Sequence, residues 1–248
     1  THGQQQIWVF ERLQPGTHAY HMFDRIRIDG PLDADALQRA AMQLCARHQA
    51  LRIAFVEDAG RPHQVLHAAV ALPWRMEDLS ALAADGRGTA LQALLREHTR
   101  QPFDLSQPPL LRLMLVRMGT DTHVLSVVAH HLLFDAASFQ AMYEDRAQLY
   151  PAARDGTTVV AQAEALQFGD HALQRAQRAQ RGDVGADRTL AYWRETLEGV
   201  SGLLDMPIDM ARPAVLGSDG ARHGFELSPA LAARVAAFAR GQGATQFQ

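Results

Sequence analysis

Three side chains in the stretch AHHLLFDAAS, residues 129 to 138, carry the chemistry this chain offers: His130, His131 and Asp135. A neutral imidazole accepts a proton or a hydrogen bond near pH 7, so a histidine held at a strand end by a nearby carboxylate suits a general base. The apolar run Val124, Leu125, Val127, Val128 and Ala129 predicts a buried strand that leads into the pair, and a helical pattern starts at Ala136. Successive strand residues point to opposite faces, so only one of the two histidines lines a given pocket. Spacing does not say which. In a chain with 12 histidines such a pair is as a rule structural or exposed, and the residues alone leave the catalytic and the structural role both open. A metal centre needs a third ligand and closed spacing. His123, His130, His131 and Asp135 form no zinc pattern, and no metal is expected.

The elements that must position these residues alternate. Residues 4 to 13 place Ile7, Trp8 and Phe10 near one side of a short helix that Pro15 and Gly16 end. Residues 20 to 29 alternate apolar and polar as a half-buried strand does. Asp33 is an N-cap for a helix through Leu37, Ala40, Ala41, Leu44 and Cys45. Period two returns in a strand at 51 to 57, a turn at 58 to 62 and a strand near 64 to 76. A helix is expected over 87 to 101. Residues 110 to 119 and 122 to 131 form a hairpin around Thr120 and Asp121. Helices are expected at 137 to 150, 161 to 181 and 187 to 198, then a short strand near 221 to 227 and a helix opened by Ser228 and Pro229. Trp8, Trp74 and Trp193 are expected to anchor cores, with Met114, Met118 and Met142 as core fillers. A composition change near Gly182 to Gly185 marks a domain boundary.

At 248 residues, 47% hydrophobic and 21% charged, the chain buries a sizeable core. Its 24 basic and 27 acidic residues leave a net charge of −3, which provides no electrostatic footprint for nucleic acid. The single cysteine, Cys45, forms no intrachain disulfide and suits a reducing compartment and a core position. No apolar run approaches the ~20 residues that span a bilayer. A cytoplasmic protein with no membrane partner is expected, and both ends look cut.

AHHLLFDAAS resembles the HHxxxDGxS signature of condensation domains of nonribosomal peptide synthetases, in the chloramphenicol acetyltransferase-like superfamily. Further segments match in order. THGQQQIW, residues 1 to 8, is similar to the family's opening motif, and RHQALRIAF, 47 to 55, to its RHExLRTxF motif. PFDLSQPPLLR, 102 to 112, resembles the segment before the active-site strand, and residues 190 to 213 the stretch leading into the second lobe. The resemblance implies an α/β (α+β) fold, a chloramphenicol acetyltransferase-like two-layer sandwich with a mixed sheet flanked by helices. It divides the chain into the N-terminal lobe, residues 1–182, and the truncated beginning of the C-terminal lobe, 183–248.

The resemblance also implies an activity: an acyl or peptidyl thioester on one carrier domain is transferred to an acceptor amine, forming an amide. His131 would be catalytic. His130 would be structural. Asp135 would be a structural carboxylate paired with Arg47, or with Arg52 as second choice, although Arg47 also suits a helix C-terminus by charge. Ser138 matches the family serine and equally suits a helix-start cap. Ala136 replaces the family glycine, a residue that permits close backbone approach or unusual dihedrals. No cofactor would be bound by the domain itself. Substrates would arrive on the 4'-phosphopantetheine arms of donor and acceptor peptidyl carrier domains, beside adjacent synthetase domains. Two alternatives remain at this point, a non-catalytic docking domain of the same fold and a free-standing acyltransferase using soluble thioesters.

Overall fold

The computed structural model describes residues 1–157, 166–181, 184–202, 206–211, 213, 217, 220 and 223–248. Helix α1 (His2–Leu13) precedes strand β1 (His21–Asp29), helix α2 (Ala34–Arg47) and a 3₁₀ turn at Gln49–Arg52. Strands β2 (Ile53–Asp58), β3 (Arg61–Leu66) and β4 (Trp74–Asp78) lead to helix α3 (Ala84–Arg100). Strands β5 (Leu111–Arg117) and β6 (Thr122–His130) follow, then helices α4 (Ala136–Arg154), α5 (Phe168–Gln180), α6 (Val184–Thr196) and α7 (Pro229–Gly241). Two compact units result, Thr1–Ala211 and Arg212–Gln248. The division by packing thus falls later in the chain than the composition change near residue 182.

The larger sheet has the order β1-β6-β5-β4. It is mixed, as the sequence predicts: β4 and β5 are parallel across the α3 crossover, whereas β1–β6 and β5–β6 are antiparallel. Leu111, Leu113 and Leu115 of β5 and Leu125, Val127 and Ala129 of β6 form one core with Leu37, Ala40, Leu44 and Met142 of α2 and α4. Met114 and Val116 turn the other way, toward Leu95 of α3. Both central strands are buried on both faces, which is why their sequences read as nearly continuous apolar runs. A third cluster joins Trp8 of α1, Ile53 and Phe55 of β2, Leu110 and Leu132. Asp33 Oδ1 caps α2 by accepting the Ala36 N–H at 2.8 Å, and Ser228 Oγ caps α7 through the Leu231 N–H at 3.3 Å. Both caps were legible as residue types.

Several expectations need correction. The single strand near 64 to 76 is two strands in two different sheets, separated by an irregular stretch before Pro73. Residues 161 to 165 lie outside the described residues, and in the rest of that range helix α5 begins at Phe168. Helix α4 continues beyond Tyr150 to Arg154 with Pro151 inside it, although proline has no N–H to give to the carbonyl of Ala147. Of the short strand near 221 to 227, residues 221 and 222 are not described and 223 to 227 have no regular structure. Trp8 is 7% exposed and Trp74 packs against the main core, but Trp193 is 50% exposed, with its ring meeting Tyr192 edge-on at 5.3 Å. Cys45 is buried and unpaired, and burial pushes its thiol up to about 12. No helix among the described residues is long and apolar enough to cross a membrane.

The face of the sheet toward α3 also holds polar groups. Arg112 is 6% exposed and lies with its guanidinium carbon 4.0 Å from the Phe103 ring centroid. It donates to the carbonyls of His98 (2.8 and 3.0 Å) and Gln101 (2.5 Å), which are orphaned acceptors at the C-terminus of α3. His98 Nδ1 lies 3.0 Å from Ser126 Oγ, and His21 Nδ1 donates to Thr99 O at 2.7 Å. Burial is the main cause that lowers both imidazoles from 6.5 to about 4, and the nearby Arg112 charge adds to it.

A histidine depressed in the folded state is neutral there while its unfolded counterpart takes up a proton. Unfolding therefore gains protons between about pH 6.5 and 4. Stability from both groups is fully present above pH 6.5 and falls as pH drops through that window. Urea denaturation at pH 7 and pH 5 is expected to show lower stability at pH 5. The loss should shrink in His98→Gln, and an equal loss in that variant rules out His98 as a source.

Candidate functional site

The end of β6 and the turn after it make the site. His130 N–H donates to Leu110 O at 2.9 Å and His131 N–H to Tyr20 O at 2.9 Å, so the histidine pair is gripped from both neighbouring chain segments. His130 is 1% exposed. Its Nδ1 accepts the Leu132 N–H at 3.2 Å, which places the ring proton of the neutral imidazole on Nε2, donating to Glu11 Oε1 at 3.2 Å. The His21 and Phe103 rings lie edge-on, each 6.0 Å from it. His130 is therefore enclosed and fully partnered.

His131 is exposed. Its Nδ1 lies 2.8 Å from Phe134 O, and a carbonyl only accepts, so Nδ1 carries the proton. In neutral His131 this leaves Nε2 with a lone pair. The Tyr20 ring stands beside it at 6.3 Å. The structure thus separates the two histidines as the strand alternation predicts, one inward and one outward. An imidazole with one nitrogen anchored on backbone and the other an acceptor can take a proton from an attacking nucleophile.

Asp135 and Ser138 form a capping box on α4. Asp135 Oδ1 accepts the Ser138 N–H and the Ser138 hydroxyl, both at 2.8 Å, while Ser138 Oγ accepts the Asp135 N–H at 3.1 Å. The hydroxyl bond first, then the amide, holds the Asp135 carboxyl below the usual carboxylate range. Ala136 is the first residue of α4. Among the described residues Ala59 is the only non-glycine with positive φ, so the backbone at Ala136 does not require glycine.

The expected partner of Asp135 is not Arg47. Arg47 Nη1 lies 3.0 Å from Asp145 Oδ1 on α4, and His48 Nε2 hydrogen-bonds the other oxygen of the same carboxylate. Arg52, the second choice, gives its Nη1 to the carbonyls of His67 at 2.7 Å and Ala68 at 2.8 Å. The reason is reach. Asp135 lies at the N-terminus of α4 and is spent on its own cap, whereas Asp145, further along the helix, faces the C-terminus of α2, where Arg47 sits. Behind the turn a cavity of about 190 Å³ is lined by Leu51, Phe134, Ser138, Met142, His48 and Phe168. The residues that the motif does not reveal are Glu11, Tyr20 and Asp145. No periodicity signals them, because each meets its partner only across the fold. Among the described residues no group of His, Cys, Asp or Glu is arranged to hold a metal.

These contacts rank two carboxylates. Asp135→Ala removes one cap and is expected to cost about 1 kcal/mol. Asp145→Ala leaves a half-buried Arg47 without its counter-ion and His48 without its acceptor, and is expected to cost about 2–3 kcal/mol. Urea unfolding of the two variants at pH 7 measures the difference, and a larger loss in Asp135→Ala contradicts the pairing.

Comparison with known proteins agrees with the geometry. The family model for the condensation domain matches residues 1–247. The chain is 34% identical over 244 residues to phosphinothricin tripeptide synthetase PhsC of Streptomyces viridochromogenes, covering 98% of this chain and 22% of that protein. It is 30% identical over 247 residues to phosphinothricin tripeptide synthetase PhsB of the same organism, covering 100% of this chain and 20% of that protein. The chain thus spans a small part of the curated relatives it matches. Among solved structures, the X-domain in complex with OxyB from teicoplanin biosynthesis superposes with a TM-score of 0.81 at 30% identity, over 98% of this chain and 52% of that one. The first condensation domain of the calcium-dependent antibiotic synthetase, in complex with a substrate analogue, gives 0.68 at 29% identity over 80% of this chain and 47% of that one. With the family model matching residues 1–247 and the fold in agreement, the chain belongs to the condensation domain family of nonribosomal peptide synthetases.

Proposed function

We propose that this chain is part of a domain that forms an amide bond by transferring an acyl or peptidyl group from a carrier-bound thioester to an acceptor amine. The observation that carries the reading is the exposed His131 imidazole, anchored through Nδ1–H to Phe134 O with Nε2 left as an acceptor. The amine nitrogen attacks the thioester carbonyl, a C–N bond forms, the C–S bond breaks, and the sulfur leaves as the arm's thiol. The amine proton must move from nitrogen to sulfur. His131 Nε2 is suited to take it and pass it on. In this tautomer Nε2 is not a donor, so the ground-state imidazole orients and deprotonates the amine and does not stabilise an oxyanion.

His130, Asp135, Ser138 and Ala136 support the turn and touch no substrate in this reading. Arg47 holds α2 to α4, and Arg52 holds the chain after β3. The substrates are carried on 4'-phosphopantetheine arms of donor and acceptor carrier domains, as expected of a family whose relatives here are peptide synthetases, and the domain supplies no cofactor of its own. Residues 1–182 are assigned to the N-terminal lobe and 183–248 to the start of the second. Exposure of His131 in this chain fits an active face that the second lobe completes, so the chain alone is expected to be weak or inactive.

A docking role is the second reading, favoured by the superposition on an X-domain whose structure is a complex with OxyB. A carrier-loaded donor and acceptor assay on the intact synthetase separates the two. His131→Ala is expected to lower product formation by about 100-fold or more with the melting temperature retained. Unchanged output from a folded His131→Ala protein supports docking instead.

A further inference from the structure

Helix α1 presents three side chains to the histidine turn at one helical spacing: Gln4, Trp8 and Glu11, four and then three residues apart. Gln4 and Trp8 are each 7% exposed, and the Glu11 side chain 11%. All three converge on Leu132, the residue directly after His131. Gln4 Nε2 donates to Leu132 O at 2.8 Å. The other end of the Gln4 amide accepts from Gln64 Nε2 at 2.8 Å and from Thr1 Oγ1 at 3.0 Å, which sets the amide's orientation. Trp8 packs in the same apolar cluster as the Leu132 side chain. Glu11 Oε1 accepts Nε2–H of His130, whose Nδ1 accepts the Leu132 N–H. One helix face thus holds the carbonyl of Leu132 directly, its side chain by packing and its amide through His130.

We propose that Gln4 and Glu11 are positioning residues for His131. Glu11 selects the His130 tautomer that can accept the Leu132 N–H. Gln4 fixes the following peptide. With Leu132 held on both sides, the turn brings Phe134 O to His131 Nδ1, and Nε2 faces outward in one tautomer and one orientation. The chemical consequence rests on His131 being the catalytic base, as proposed above. The positional claim does not.

The test reads position and chemistry separately. Nitrogen-15 NMR of the imidazoles in the 248-residue chain is expected to show His130 protonated on Nε2 and His131 on Nδ1. The opposite tautomer at either ring overturns the proposal without any substitution. In Gln4→Leu and Glu11→Leu, His131 should become a mixture of tautomers, whereas Glu11→Gln, which keeps an oxygen for the His130 Nε2–H, should retain the original signal. In the intact synthetase the same two leucine variants should lose about 10- to 100-fold in kcat with KM for the acceptor changed less than about twofold, as a small misplacement of a reacting group does. Folded leucine variants with an unaltered His131 signal overturn the positioning role. An altered signal with unaltered kcat upholds the positioning and overturns the catalytic reading instead. Should Glu11→Leu fail to fold, Gln4→Leu carries the test alone with the same two outcomes.

Discussion

The structure depends on burying β5 and β6 on both faces. Leu111, Leu113, Leu125 and Val127 look toward α2 and α4, while Met114 and Val116 look toward α3. A strand covered on both sides has no solvent face on which to leave a polar side chain, so any polar residue it carries must find an internal partner. An unmet buried donor or acceptor costs about 1–3 kcal/mol. Ser126 and His130 are the most enclosed polar residues of β6, each 1% exposed, and His123 of the same strand, 8% exposed, leaves its Nδ1 without a hydrogen-bond partner among the described residues. Ser126 meets His98, and His130 meets Glu11 and the Leu132 amide. The site begins where this enclosed strand runs out and the next residue, His131, emerges.

The same constraint explains how charge is placed. Arg112 is buried, yet among its described partners are backbone carbonyls at the end of α3 and the Phe103 ring. Helix carbonyls carry partial negative charge, so the guanidinium is solvated by dipoles and closes the C-terminus of α3 at once. Burial still lowers it to about 10, leaving it charged at neutral pH. Its charge helps keep His21 and His98 neutral. The layer beneath the histidine turn therefore holds a fixed protonation pattern near pH 7, a suitable floor for a residue whose task requires a defined tautomer.

Of the motif's polar residues, the carboxylate does the most local work. Asp135 starts α4 by the capping box with Ser138, and through α4 it fixes the direction in which the chain leaves the turn. The ion pair that ties α4 to α2 belongs instead to Asp145, Arg47 and His48. Both carboxylates sit on the α4 segment and both are structural, but they act on different joints.

Much of this was legible in the residues themselves. Period-two and helical spacing placed the β5–β6 hairpin, α1, α2 and α3 close to their observed ranges, and Asp33, Ser228 and Pro229 announced helix starts, because these signals depend on neighbours within one turn of chain. Strand alternation determined that His130 and His131 must part company. Tertiary structure decided the rest. Only the fold brings Glu11 against His130 and Phe134 O against His131 Nδ1, and so assigns each ring its tautomer. Only the path of α4 across α2 gives Arg47 to Asp145 in place of Asp135. Charge and spacing along a chain name candidate pairs, whereas a hydrogen bond is made within about 3 Å, a distance that only the packed helices and sheet set.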